Sequence, residues 1–209
     1  MTAPERGFPD DEFAARCAAM QAAMAREGVD AMLFASEPEI RYFTGFLTPF
    51  WQSPTRPWFL VLPPEGKPVA VIPSIGGPLM RSCYAGEVIT WSSPAAEDDG
   101  ISLLRDVLRR YLGTTGRLGM MMGRETALRM PLAELLAPQH SMPGTMDNLA
   151  PHDMTAALQL IRMANSPRAN PNSRHLFGLA PLAPAAQSAR PGAGSALSGR
   201  FPRCTSYVP

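Results

Sequence analysis

All 18 acidic residues of this 209-residue chain lie at or before Asp153. The first 153 residues also hold Lys67 and twelve arginines, a net −5; the last 56 hold six arginines and no acid, a net +6. That asymmetry divides the chain before any element is assigned. From Ser166 onward, 44 residues carry seven prolines and four glycines, and no helical stripe or strand alternation lasts ten residues. Such a composition buries too little apolar surface to offset the entropy of ordering. One structured domain is therefore expected over residues 1–165, followed by a disordered tail over 166–209.

Within the first part, helical and strand patterns alternate. Asp10 or Asp11 is placed to cap a helix that runs to Glu27 and stops at Gly28. Its Phe13, Cys17, Met20 and Met24 follow one another at 4-3-4 spacing, a single apolar stripe. Val29 to Ala35 reads as a buried strand, and Pro38 to Phe43 as a short helix ended by Gly45. Trp58–Leu62 and Pro68–Ile72 flank the turn Pro63-Pro64-Glu65-Gly66, which predicts an antiparallel hairpin. Gly76-Gly77-Pro78 opens a helix to Tyr84, and Glu87 to Trp91 is a strand. Asp98 or Asp99 caps a helix that carries Leu103, Leu104, Val107, Leu108 and Tyr111 on one face. Arg117–Met122 is a strand, Leu128–Ala137 a helix, Ser141–Met146 a weak strand, and Asp153 caps a last helix through Leu158 and Ile161. This alternation predicts an α/β fold, helices packed on a mixed sheet of five or six strands.

Several chemistries find no support. The cysteines Cys17, Cys83 and Cys204 are odd in number, and none is at metal-ligand spacing, so neither a disulfide framework nor a zinc finger organises the chain. A reducing cytoplasm is the expected compartment. The stretch Met1–Asp11 lacks a basic region followed by an apolar one, and no apolar run approaches the ~18 residues that span a bilayer. His140, His152 and His175 form no H-E-x-x-H or i, i+4 pair. There is no G-x-S-x-G elbow, and the Gly113–Gly119 run precedes a strand rather than a helix. No catalytic residue and no metal ligand is assigned. Six arginines over 56 residues are too dilute for a nucleic-acid contact.

The most informative segment is Tyr42 to Trp58, Y-F-T-G-F-L-T-P-F-W-Q-S-P-T-R-P-W, with six aromatics and one arginine in 17 residues. Core packing accounts for Tyr42, Phe43 and Trp58. Phe50 and Trp51 lie on a loop that is harder to bury in a small domain. With Arg56 they read either as a substrate or partner contact or as local packing.

The residues G-V-D-A-M-L-F at Gly28–Phe34 and P-E-I-R-Y-F-T-G-F at Pro38–Phe46 resemble the N-terminal domain of the creatinase, prolidase and Xaa-Pro aminopeptidase family. So do the hairpin W-F-L-V-L and K-P-V-A-V-I-P, and L-Q-L-I-R-M-A-N-S-P at Leu158–Pro167, which is similar to the stretch leading into the family's catalytic domain. The resemblance covers residues 10–167, and Y-x-T-G-F is its most specific piece. It implies a three-layer α/β/α domain with a ribonuclease-H-like motif. It also implies that chemistry resides in a following pita-bread domain, where peptidase members hold two divalent metal ions (Mn, Co or Zn) through Asp, Asp, His, Glu and Glu. Creatinase touches substrate with an aromatic of the loop after Y-x-x-G, here the region of Phe50 and Trp51 with Arg56 nearby.

This sequence departs from the family after Pro167: only 42 residues follow, with no Asp or Glu among them. Those five ligands have no counterpart, so no cofactor is expected in this chain, and no hydrolysis. A frameshift in GC-rich DNA accounts for the acid-free tail, as 18 arginines against one lysine already hint; an in-frame basic linker is the competing account. The expectation is a non-catalytic N-terminal domain of a truncated Xaa-Pro peptidase or creatinase relative. The alternative is a stand-alone module that forms a homodimer or pairs with a full-length family member. No nucleic-acid or membrane partner is expected.

Overall fold

The centre of the sheet is built from strands whose every residue is apolar. In the computed structural model, which describes residues 7–52, 56–95, 98–124, 126–130 and 151–164, β1 (Ala31–Phe34), β2 (Phe59–Leu62) and β3 (Val69–Pro73) are buried throughout. Successive strand residues point to opposite faces, so each run feeds two cores. Met32, Phe34, Leu60, Leu62, Ala70 and Ile72 enter one core. Leu33, Phe59, Val61 and Val71 enter the other. Continuous apolar runs of this kind need a helical layer on each side.

The first layer contains α1 (Asp10–Glu27), α2 (Glu37–Thr44), the short α3 (Gly77–Arg81) and α5 (Thr155–Met163). Cys17, Met20 and Met24 of the α1 stripe are all in its core, with Ile40, Phe43, Met80 and Leu158. The second layer is α4 (Ile101–Leu112), which buries Ile101, Leu104, Val107, Leu108 and Leu112. Strands β4 (Val88–Trp91), β5 (Leu118–Met120) and β6 (His152–Asp153) complete a six-stranded mixed sheet in the order β4-β3-β2-β1-β5-β6. Pairs β1–β2 and β2–β3 are antiparallel, with Leu33 opposite Val61 and Leu60 opposite Ala70. Pairs β1–β5, β3–β4 and β5–β6 are parallel. The predicted α/β/α class and the hairpin are both present.

Some boundaries differ. Helix α1 starts at Asp10 with Pro9 before it, so Asp10 and Asp11 sit in the first turn, where the helix dipole favours acids, rather than at the cap. Neither Asp98 nor Asp99 is the cap of α4: Gly100 holds that position, and the Asp98 carboxylate reaches over it to accept from the Ser102 N–H at 2.8 Å and the Ser102 hydroxyl at 2.7 Å. The helix expected to run from Gly76 to Tyr84 divides into a 3-10 turn, Ser74–Gly76, and the short α3. Leu128, Arg129 and Met130 are irregular; the rest of the helix expected there, the strand expected at Ser141–Met146 and the tail from Ser166 lie outside the described residues.

The last strand is the two-residue β6. The cap position of α5 falls to Met154 rather than to Asp153, which ends the strand; the Asp153 Oδ1 nevertheless accepts from the Thr155 N–H at 2.9 Å, the Thr155 hydroxyl at 2.5 Å and the Met122 N–H at 3.2 Å. These donors, the Thr155 hydroxyl first, hold the exposed Asp153 carboxyl below the usual carboxylate range. A carboxyl whose pKa is lower folded than unfolded stabilises above its unfolded pKa and loses that contribution as pH falls through the folded value. Asp153→Asn is expected to flatten the acid limb of a stability–pH curve and leave its shape above about pH 5 unchanged. Superimposable acid limbs for the two proteins, measured by urea unfolding, would refute this.

Candidate functional site

The chain turns sharply out of α2 at Gly45, whose φ of +75° is in the left-handed region. A Cβ there would stand 2.8 Å from Phe13 Cζ, so glycine is required by both backbone and space. This turn launches the segment 46–58. A 3-10 turn, Pro49–Gln52, folds it back on the domain. Trp51 is consequently buried, only 7% exposed, its ring centroid 6.3 Å from that of Phe46 and 5.6 Å from that of Trp58. Arg129 donates to the Trp51 carbonyl at 2.8 Å and lies over its ring. The Trp51 indole N–H meets no acceptor among the described residues.

The expectation that both loop aromatics are hard to bury is thus corrected for Trp51. A Phe46–Trp51–Trp58 cluster accepts it, because the loop packs onto its own flanking residues. Phe50 stays outside at 43% exposure, beside the exposed Leu47, and Arg56 is half-buried. The three residues singled out in the sequence therefore do not share one environment.

A second feature was not legible in the sequence. Between the start of α1, the end of α2 and the end of α3 lies a cavity of about 730 Å³. Its lining includes Phe8, Phe13, Tyr84, Arg16, Arg41 and Arg162. Arg16 is only 8% exposed. Its Nε donates to Glu12 Oε1 at 3.1 Å and its Nη1 to the Tyr42 carbonyl at 3.0 Å. The guanidinium stacks on Phe8 at 4.2 Å and on Tyr42 at 4.6 Å. Arg162 of α5 covers Tyr42 too, at 5.1 Å, and approaches the buried Glu39 at 3.6 Å. Burial pushes the Tyr42 hydroxyl above its ordinary pKa, against the opposing pull of Arg16 and Arg162. One sequence signal was available: Arg16 stands three residues after Phe13 and four before Met20, on the face that the stripe buries.

The metal pair of the peptidase relatives does not fit these residues. Among the described residues no group of three or more His, Cys, Asp or Glu converges. His152 Nε2 lies 3.5 Å from Glu27, and the Asp153 oxygen beside it is already engaged by Thr155 and Met122. Cys17 is a core residue whose thiol burial pushes up to about 12. No described helix is long and apolar enough to cross a membrane.

Comparison with known proteins agrees with the fold. A prolidase from Thermococcus sibiricus superposes with a TM-score of 0.57 at 21% identity, covering 74% of this chain and 37% of that one. The dipeptidase PepE from Mycobacterium ulcerans gives 0.54 at 22% identity, covering 76% and 38%. A proline dipeptidase structure from Streptococcus pneumoniae gives 0.53 at 15% identity, covering 70% of this chain and 96% of that one. The chain therefore spans under two fifths of the length of the first two. At such identities the structures speak for the fold. No curated protein matches the sequence. The sequence profile of the creatinase/prolidase N-terminal domain matches residues 16–163, from the first turns of α1 to the end of α5. That stretch is most of the chain and nearly all of the described fold, so the chain belongs to the creatinase/prolidase N-terminal domain family.

Proposed function

We propose that residues 1–165 are the non-catalytic N-terminal domain of an Xaa-Pro peptidase or related creatinase-type hydrolase, and that this chain alone hydrolyses nothing. The observation that carries the reading is the span of the family match, which runs through α5 and stops at residue 163. The acid-free sequence from Met154 to Pro209 adds no carboxylate that could hold a metal or move a proton. Two divalent ions would belong to a full-length relative. A reducing cytoplasm is the compartment that suits the thiols of Cys17 and Cys83. The purified chain, given an X-Pro dipeptide with added Mn²⁺ or Co²⁺, is expected to release no proline above the buffer rate. Turnover that a chelator abolishes would overturn the reading.

A second reading is favoured by exposed apolar side chains. Leu47 and Phe50 are 48% and 43% exposed, and Leu160 and Met163 on α5 are 65% and 78% exposed. Surface of this kind promotes association. In this reading the chain dimerises or pairs with a full-length relative, with Phe50 in direct contact, Trp51 supporting it from behind and Arg56 on the same segment. Sedimentation is expected to show self-association that Phe50→Ser weakens. A monomer at every concentration, wild type and variant alike, would remove the self-pairing reading.

A further inference from the structure

We propose that the cavity between α1, α2 and α3 binds a small ligand that joins a carboxylate to an apolar body. Its volume of about 730 Å³ falls within the roughly 300–1,000 Å³ typical of small-molecule sites. The apolar part is supplied by Phe13 and Tyr84, whose rings stack 6.0 Å apart at 23°, and by Leu47 and Leu79. Such walls take up a hydrophobic body without asking for hydrogen bonds.

The charge on the lining decides the other half of the ligand. Three arginines, Arg16, Arg41 and Arg162, line the cavity against one acid, Asp10. The acids that answer Arg16 and Arg162 are Glu12 and Glu39. Both are buried, and neither lines the cavity, so they stand behind the guanidiniums. The lining therefore carries an excess of positive charge. Arg16 is a fixed strut, with Nε and Nη1 already committed. Arg41 is exposed and its side chain makes no ion pair or hydrogen bond among the described residues, so its planar fork is available to a carboxylate in two-point fashion. A cationic ligand is disfavoured, because the aromatic faces are already taken. Arg16 covers Phe8, Arg16 and Arg162 cover Tyr42, and the Lys67 ammonium lies 4.4 Å from the Tyr84 centroid. This binding needs no catalytic domain, so its failure would leave the family reading untouched.

Cys83 lines the cavity and is partly exposed, which makes it a reporter. Cys17 is buried, with its thiol pushed up to about 12, and stays silent to alkylation at neutral pH. The experiment follows iodoacetamide modification of Cys83 in the full chain carrying Cys204→Ser. The probes are N-acetylphenylalanine, its amide, inorganic phosphate, and a decapeptide ending in phenylalanine with a free carboxylate. N-acetylphenylalanine is expected to slow modification in a saturable way. The amide should need about tenfold more for the same protection, as the loss of one charge-assisted contact implies. Arg41→Gln, at an exposed position, should erase the difference between acid and amide without moving the urea midpoint. Protection by the decapeptide equal to that of the small acid identifies a polypeptide C-terminus as the source; protection by the small acid alone identifies a free carboxylate. Equal protection by acid and amide, by phosphate and acid, or no protection at ~50 mM, a concentration that already allows for very weak binding, overturns the proposal.

Discussion

A Trp58→Ala domain is expected to unfold at a far lower urea concentration than the parent, with a loss of about 3–5 kcal/mol. Trp58 is 2% exposed and lies just before β2. Its ring centroid is 5.4 Å from that of Phe46 and 5.6 Å from that of Trp51, so it is the ring on which the 46–58 segment folds back. Its far edge fills the space over Gly76, where a Cβ would collide with it. Truncation removes a large buried area and leaves a cavity that a backbone held by β2 cannot close. Against the roughly 5–15 kcal/mol that separates folded from unfolded domains, that is a large share. Trp58→Phe should recover much of it. Far-UV circular dichroism in urea measures both. A loss under about 1 kcal/mol, the ordinary effect of a single substitution, would show that this cluster is not part of the working core.

The second large effect is expected at Arg16. Its pair with Glu12 is buried on both sides, each residue 8% exposed, one helical turn apart. Arg16→Met keeps an unbranched apolar stem but leaves the Glu12 carboxylate without its cation. Removing one partner of a buried ion pair typically costs about 3–5 kcal/mol. The double variant Glu12→Gln with Arg16→Met removes both charges and should regain a substantial part, because the orphaned charge is what costs most. The stacked Phe8 and Tyr42 rings would still lose their guanidinium, so recovery should be incomplete. If the double variant is no more stable than Arg16→Met, the cost lies in the lost stacking and not in the stranded carboxylate.

The two regions differ in how much of them could be read from the chain. The hairpin of β2 and β3 was readable because its signals are local: two apolar runs around Pro63-Pro64-Glu65-Gly66. The α1 stripe was readable for the same reason, with Cys17, Met20 and Met24 placed in one core as their spacing demands. Strand β6 was not. Two residues carry no periodicity, and His152 and Asp153 become a strand only because Gly119 and Met120 of β5 offer them an edge. The burial of Trp51 has the same character, since a loop aromatic is buried or exposed according to what its loop lands on. Arg16 was half readable, as its position on the stripe was visible and its partners were not.

The sequence by itself determined the class of fold, the family and the division of charge between residues 1–153 and the rest. Each is a matter of local periodicity, a nearby motif or a count, and none requires knowing what meets what. Only the tertiary structure decided that Trp51 closes a core and that Arg16, Arg41 and Arg162 line one cavity. Arg16 and Arg162 are far apart in the chain, on α1 and α5, and both come to rest over Tyr42. Contacts of that kind depend on how whole helices dock on the sheet. No window of sequence contains both partners, so no local pattern could have announced them.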